Sequence, residues 1–255
     1  MEFVDTHCHL QFDNYEANRE AVYRAAMAAK VKRMICVGTS LLDSHKACHY
    51  AYVTDGVWAA AGVHPHEAAE FLDDPASAEK LAQLLKNPKV VAAGEIGLDY
   101  YKSRTPKDIQ EKAFRAQLEI GLQTGLPFSF HVRDAWSDFW RILDDYQDVK
   151  GVVHSFSSGT KQLDTALGRG LYIGLNGIMT FTRDEAQLEA ARQVPLDKLV
   201  LETDAPFLTP APNRNEVCEP KHTAVTAEFL AKLRGQSIKE LSAATTENAV
   251  RLFGL

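Results

Sequence analysis

The chain has 255 residues, of which 45% are hydrophobic, and a formal net charge of −6. This length provides an ample buried core for one large domain or two small ones. The acidic balance excludes a protein that coats long duplex DNA through a global positive field, but it is compatible with a local cationic cleft that grips one nucleic-acid end.

Apolar, β-rich runs alternate with helical patterns along the whole chain. The predicted strands are Phe3 to Asp5, Arg33 to Val37, Val57 to Val63, Val90 to Glu95, Pro127 to His131, Gly151 to His154, Leu171 to Leu175 and Lys198 to Glu202. The predicted helices include Glu16 to Ala29, Ala76 to Leu85, Asp108 to Thr124, Trp136 to Tyr146, Gln162 to Leu167, Asp184 to Gln193 and Thr223 to Leu233. A last helix is predicted to open with a capping box formed by Ser237 and Glu240.

Eight nearly continuous apolar strands with helices between them predict an α/β fold, the (β/α)8 TIM barrel with a parallel sheet. We expect a single domain over residues 1–255. An irregular loop, residues 205–222, follows the eighth strand and is expected at the rim of the active site.

The N-terminal segment MEFVDTHCHL predicts a strand, because it lacks the basic and apolar parts of a targeting segment. No stretch of about 18 apolar residues indicates a membrane span. The four cysteines lack the CxxC spacing of a metal or redox motif, and reduced thiols are expected. We therefore expect a soluble, cytoplasmic protein without an obligate protein partner.

The segment DTHCHL places two histidines two residues apart on the first strand. Residues with this spacing point the same way, so His7 and His9 face together while Cys8 faces the opposite side. Asp5 has the same parity and is expected to orient one of the two imidazoles. Taken alone, an HxH pair is as compatible with a core or surface pair as with a metal site.

Four further strand ends carry metal-binding side chains, namely Glu95, His131, His154 and Asp204. Catalytic groups of a (β/α)8 barrel lie where the strands run out into loops, so we expect these residues to converge with the histidine pair. Glu95 closes the apolar run VVAAGE, where burial of an unpaired carboxylate is costly. A metal role is favoured for it over a salt bridge to Arg133. His131 and His154 would each be ordinary core histidines if they stood alone.

Asp204 lies in LETDAP, where Pro206 ends the strand. A helix cap or a turn is the alternative role, and its position at the strand end favours catalysis. Glu202 is expected to point to the same face as Asp204, one layer deeper. It either forms hydrogen bonds that orient the metal ligands or forms an ion pair in the core.

Histidines and tyrosines outside the strands give weaker signals. His64, in GVHPH, is predicted to contact substrate. Tyr100 and Tyr101 either stack on a base or pack within their loop. The remaining histidines, assigned to the surface or to packing, are His45, His49, His66 and His222.

The motifs DTHCHL, GVHPH, GEIGLDYY, HVRDA, HSFSSG and LETDAPFL, followed by ENAVRLFGL, closely resemble the TatD family of metal-dependent deoxyribonucleases. The resemblance covers nearly the whole chain in order. It implies two divalent metal ions, one held by His7, His9, Glu95 and Asp204 and the other by Glu95, His131 and His154, with Glu95 as the bridge. Magnesium is what the resemblance implies for activity, whereas the donor types also suit manganese or zinc.

The resemblance further implies a 3'-5' exonuclease that acts on single-stranded or frayed DNA ends. Two cations lower the pKa of bound water and clamp a phosphodiester during in-line displacement. Asp204 is the candidate acceptor of the water's proton. The candidate phosphate-binding residues are His64, Arg133, Ser155 and Ser157.

Two alternatives to a nuclease stay open at this point. An amidohydrolase or deacylase would use the same metal-bound hydroxide on a C–N or ester bond. A protein that holds metal or nucleic acid without turnover is the other alternative, and the presence of Asp204 argues against it.

Overall fold

The computed structural model describes residues 1–255, and its eight strands form one sheet in the order β1 to β8. The strands are β1 Phe3–Cys8, β2 Val31–Val37, β3 Val57–Ala61, β4 Val90–Asp99, β5 Phe128–Arg133, β6 Gly151–Val153, β7 Tyr172–Leu175 and β8 Leu199–Leu201. The order in the sheet repeats the order along the chain, with helices between the strands. This is the strand order predicted for a (β/α)8 barrel.

Ten helices separate and follow the strands. They are α1 Arg19–Ala28, α2 Leu41–Val53, α3 Ala68–Asp73, α4 Ser77–Leu84, α5 Lys107–Leu122, α6 Trp136–Leu143, α7 Thr160–Gly168, α8 Glu185–Gln193, α9 Thr223–Arg234 and α10 Ile238–Phe253. The predicted helices do not include α2, because its buried face consists of small residues such as Ser44, Ala47 and Ala51, which give little hydrophobic periodicity. None of the ten combines the length and the apolar content that a membrane crossing needs.

The chain divides into two compact units, Met1–Cys36 with Ser155–Leu255 and Val37–His154. Below, the first is called the terminal unit and the second the central unit. The expectation of one domain over residues 1–255 stays a prediction.

In the central unit, β3 pairs with β4, β4 with β5 and β5 with β6, all in parallel. All ten residues of β4 are buried. β4 continues four residues past its predicted end at Glu95, because the segment from Ile96 to Asp99 pairs with β5. The register shifts between Ala93 and Ile96, so Glu95 lies at an irregularity. Such irregularities re-aim side chains and are frequent beside active sites.

Side chains alternate along β5, so that one face packs in the aromatic core and the other carries His131 of the candidate site. The Phe128 and Phe130 rings stack with centroids 5.3 Å apart, and Phe130 also lies 5.3 Å from Phe139 of α6. These aromatic side chains bind the strand to its covering helices. Since successive side chains of a strand point to opposite faces, Ser129 and His131 point the other way.

In the terminal unit, β1 pairs in parallel with β2, and β7 with β8. β1 extends three residues beyond its predicted end, to Cys8, which bridges to Ala205. The Asp204 N–H donates to the His7 carbonyl and the His9 N–H donates to the Ala205 carbonyl, each at 2.8 Å. These bonds continue the pairing past β8 and bring the histidine pair beside Asp204.

The terminal unit also contains the last helix and the irregular loop. Ser237 caps α10 as predicted, its hydroxyl accepting from the Glu240 N–H at 3.1 Å. The loop over residues 205–222 has one short helical turn, at Pro220–His222. The Tyr15 hydroxyl donates to the Cys218 carbonyl and ties the loop to the first part of the chain. All four cysteines are buried free thiols.

Candidate metal centre

The first group of candidate ligands, the Asp204 cluster, consists of His7, His9 and Asp204 in the terminal unit. The Nε2 atoms of His7 and His9 lie 3.8 and 3.4 Å from Asp204 Oδ1. Two ligand atoms bound at about 2.1 Å to one ion at a tetrahedral angle are about 3.4 Å apart. The donor types and their spacing therefore fit a shared cation, and the two imidazoles face together as the HxH spacing predicted.

The backbone of Asp204 adopts a left-handed conformation with φ of 61°. Aspartate is among the non-glycine residues that tolerate this region. The Asp204 carbonyl accepts from the Phe207 N–H at 2.9 Å, so the residue shapes the turn as well as presenting its carboxylate. The side chain is 17% exposed, whereas His7 and His9 are buried. Asp204 is thus the member of the cluster that a water molecule reaches.

Asp5 supports the Asp204 cluster through Thr203 and the His7 backbone and not through an imidazole, which corrects the prediction. Its carboxylate accepts from the Thr203 hydroxyl at 2.6 Å, the Thr203 N–H at 3.0 Å and the His7 N–H at 3.2 Å. Burial raises the pKa of Asp5 to about 8, although these hydrogen bonds oppose the rise. Asp5 accepts from the His7 N–H and from two donors of Thr203, and it thereby fixes the position of His7.

Glu202 accepts hydrogen bonds in the interior of the terminal unit. Its Oε1 atom accepts from the Ser155 N–H at 2.6 Å and from Asn176 Nδ2 at 3.4 Å. The same Asn176 nitrogen donates to the Ser155 hydroxyl at 2.9 Å. Glu202 therefore holds the turn at Ser155, while Ser157 is exposed. A phosphate contact from Ser155 or Ser157 stays a prediction.

The second group, the Glu95 cluster, consists of His64, Glu95, His131 and His154 in the central unit. Glu95 Oε1 lies 2.6 Å from His131 Nδ1, 3.6 Å from His154 Nε2 and 3.9 Å from His64 Nε2. A buried carboxylate oxygen ringed by imidazole nitrogens is a donor set for zinc, manganese or similar cations. Burial and the neighbouring His131 lower the pKa of His64 to about 3.

Arg133 does not pair with Glu95, which removes the alternative of a salt bridge between them. Its guanidinium carbon lies 3.9 Å from the centroid of the Tyr101 ring, and the residue is exposed. Arg133 is thus exposed to a substrate, and its contact with phosphate stays a prediction.

A protein-family model described as TatD related DNase matches residues 4–254. The chain belongs to the TatD family.

Curated relatives agree with this assignment. The chain is 36% identical over 251 residues to the uncharacterized metal-dependent hydrolase YabD of Bacillus subtilis, covering 98% of each chain. It is 39% identical over 253 residues to the 3'-5' ssDNA/RNA exonuclease TatD of Cronobacter sakazakii, covering 95% of this chain and 93% of that one. As a TatD-family member, the chain is a metal-dependent hydrolase.

Solved structures confirm the TIM-barrel fold of this TatD-family chain. The crystal structure of YJJV, a TatD homolog from Escherichia coli k12, has a TM-score of 0.91 at 29% identity, covering 99% of this chain and 98% of that one. A TatD family hydrolase from Entamoeba histolytica has a TM-score of 0.89 at 25% identity, with the same coverage.

Asp99 contacts the Glu95 cluster and was not among the residues predicted from the sequence. Its Oδ2 atom lies 3.1 Å from His131 Nε2 and 3.3 Å from His66 Nε2. A carboxylate on the second nitrogen of a ligating histidine fixes its ring and tautomer. Burial opposes the charged form of His131, but the charge of Glu95 and the hydrogen bonds with both carboxylates raise its pKa to about 9. The sequence contained a signal for Asp99: if the strand continues through GEIGLD, Glu95 and Asp99 point to the same face.

Gly97, between these two carboxylates, permits the close approach of β4 to β5. It has a φ of 147°, and a Cβ atom built on it would overlap the His131 carbonyl oxygen. A side chain at this position would displace the strand that carries His131.

We expect Asp99→Asn to lower activity about 10- to 100-fold, the usual cost of losing a partner that supports a metal ligand. The amide keeps an oxygen for the Tyr101 N–H, which donates to Asp99 Oδ1 at 2.8 Å, so the fold is retained. Metal titration of the variant, followed by activity at saturating metal, measures the effect. Asp108→Asn, on the exposed start of α5, is the matched control. Equal metal affinity and activity in both variants would remove Asp99 from the site.

Proposed function

We propose that this TatD-family hydrolase cleaves phosphodiester bonds with two divalent metal ions and acts as a 3'-5' exonuclease on single-stranded or frayed DNA ends. The observation that most supports this proposal is the spacing of the donors: His7 and His9 lie 3.8 and 3.4 Å from Asp204, and His154 lies 3.6 Å from Glu95, close to the spacing of two ligands on one cation. The proposed metal ligands are His7, His9, Glu95, His131, His154 and Asp204. The name of the Cronobacter relative supports the exonuclease polarity and a nucleic-acid substrate.

The donor set decides which chemistry the ions supply. Bound ions of this kind lower the pKa of water and neutralise charge that develops on a phosphoryl group. Four imidazoles with two carboxylates suit zinc or manganese, and magnesium remains the alternative for activity.

Asp204 is the proposed proton acceptor. Its carboxylate is the partly exposed member of its cluster, and it faces two imidazoles at 3.4 and 3.8 Å. A carboxylate at the edge of a buried site is within reach of an attacking water and of bulk solvent, to which it passes the proton on.

His64 is proposed to donate a hydrogen bond to a phosphate oxygen. Its Nδ1 atom accepts from the His66 N–H at 3.2 Å, so in the neutral ring the proton is on Nε2. That nitrogen belongs to the Glu95 cluster and its side chain is 14% exposed. An N–H at this point contributes to substrate binding and orientation.

The test uses a single-stranded oligonucleotide labelled at its 5' end and the purified protein loaded separately with magnesium, manganese or zinc. We expect a ladder that shortens from the 3' end. A phosphorothioate at the 3'-terminal linkage is the matched control and should delay the ladder. Absence of shortening with every metal, together with hydrolysis of an acyl or amide substrate, would establish the deacylase alternative instead.

A further inference from the structure

A half-exposed tyrosine lies under two cationic side chains where β4 and β5 end. The Arg133 guanidinium carbon is 3.9 Å from the centroid of the Tyr101 ring, and Lys102 Nζ is 4.9 Å from it. The Tyr101 side chain is 39% exposed. We call these three residues the Tyr101 platform. A ring and a planar guanidinium in contact offer a stacking surface, and both cations offer donors to phosphate oxygens.

The cations of the Tyr101 platform lack carboxylate partners. Arg115 and Arg141, in the same unit, pair with carboxylates at 2.8 and 2.7 Å. The exposed side chains of Lys102, Arg104 and Arg133 make no ion pair. In a chain of net charge −6, two unpaired cations over one aromatic ring, Lys102 and Arg133, form a local positive surface. Such a surface attracts a polyanion without a global positive field.

The Tyr101 platform is connected directly to the Glu95 cluster. The Tyr101 N–H donates to Asp99 Oδ1 at 2.8 Å, and Asp99 Oδ2 lies 3.1 Å from His131 Nε2. Arg133 follows His131 by two residues on β5, so both side chains point to the same face. The Tyr100 N–H donates to the Arg133 carbonyl at 2.9 Å and joins the two strand ends. The platform therefore adjoins the Glu95 cluster at the ends of β4 and β5.

The segment that carries Tyr101 is held in place by one buried glutamine. Gln110 Nε2 donates to the carbonyls of Asp99 and Thr105, at 2.9 and 3.0 Å, and to the Ser103 hydroxyl at 3.0 Å. Its oxygen accepts from the Asp99 N–H at 2.9 Å. The platform is thereby ordered before substrate arrives, which lowers the entropic cost of binding.

We propose that the Tyr101 platform binds the nucleotide adjacent to the phosphodiester that is hydrolysed. The base stacks on the Tyr101–Arg133 pair, and Arg133 and Lys102 contact the flanking phosphates. Stacking on a side chain requires an unpaired base, so the platform selects single-stranded nucleic acid. This inference rests on the proposed function and deepens it by naming the residues that bind the nucleotide next to the cleaved bond.

The test compares Tyr101→Ala with Tyr101→Phe on two substrates, a short single-stranded oligonucleotide and methyl p-nitrophenyl phosphate, a small diester whose only ring is the leaving group. For Tyr101→Ala we expect kcat/KM on the oligonucleotide to fall about tenfold, mainly through KM, as loss of one stacked base predicts. The value for the small diester should stay within about twofold. Tyr101→Phe keeps the ring and should match the parent protein on both substrates.

A salt series provides the second measurement. Removal of one phosphate contact from a single-stranded complex lowers the slope of log KM against log salt by about 0.7. Arg133→Gln should show this change. Arg24→Gln, which removes the same charge from a side chain paired only with Glu20 on α1, should not.

The outcomes separate the platform from the proposed function. Equal losses on both substrates in Tyr101→Ala would show a structural role and overturn the platform while leaving the hydrolase intact. Hydrolysis of the small diester without cleavage of the oligonucleotide by the parent protein would also overturn it. If the parent protein hydrolyses neither diester with any metal, the proposed function fails and the platform with it.

Discussion

Glu95→Gln is expected to lower bound metal and hydrolysis together, with a loss of rate above about 100-fold, because even a partner that only supports a ligand is worth about 10- to 100-fold. The reason lies in the Glu95 cluster, where one buried carboxylate oxygen faces the nitrogens of His131 and His154 at 2.6 and 3.6 Å. An amide of the same shape is neutral and a weak metal ligand. The buried site then loses the negative charge that offsets the charge of a cation.

Metal analysis and thermal unfolding of the purified Glu95→Gln variant provide the measurement. Metal content should fall, and the chelated variant should still unfold cooperatively, at a lower melting temperature than the chelated parent because His131 loses its buried partner. Glu79→Gln, on the exposed face of α4, is the matched control and should leave both quantities unchanged. Full metal occupancy in the Glu95 variant would contradict its assignment as a ligand.

Asp204→Asn is expected to lower kcat by about 10²- to 10⁴-fold, the contribution usual for a positioned proton acceptor. Asparagine tolerates the left-handed backbone at this position, so the turn should be retained. Its side-chain oxygen remains beside His7 and His9, and metal binding should recover at higher metal concentration. The expected signature is therefore a kcat that stays low after the metal sites have been filled.

Asp148→Asn is the control for Asp204→Asn. Asp148 has a φ of 57° and is exposed, so it tests the same substitution in the same backbone region away from the site. Steady-state kinetics over a metal titration measure both variants. A parent-like kcat for Asp204→Asn at saturating metal would show that another group accepts the proton.

The parts of the site that follow from strand alternation were predictable from the sequence. The two-residue spacing of His7 and His9 sets their common direction, and the polar residue at the end of each apolar run marks the edge where the candidate ligands lie. The sheet order followed from the number of apolar runs. These features depend on local pattern, which a single sequence contains.

The parts that depend on contacts between distant segments were not predictable. Asp99 was missed because β4 was expected to end at Glu95, and its extension depends on pairing with β5. Asp5 was assigned to an imidazole, yet Thr203, far along the chain, supplies two of its hydrogen bonds. Arg133 was a candidate partner of Glu95, but its guanidinium contacts the Tyr101 ring instead.

The absence of a side chain at Gly97 has a consequence for protein engineering. Because any larger residue there would collide with the main chain that presents His131, randomisation at this position should yield only inactive clones. The exposed side chains of Lys102 and Arg104 lie outside that constraint, whereas Ser103 and Thr105 hold their segment through Gln110. Libraries intended to broaden substrate scope should diversify these two exposed positions and keep the glycine fixed.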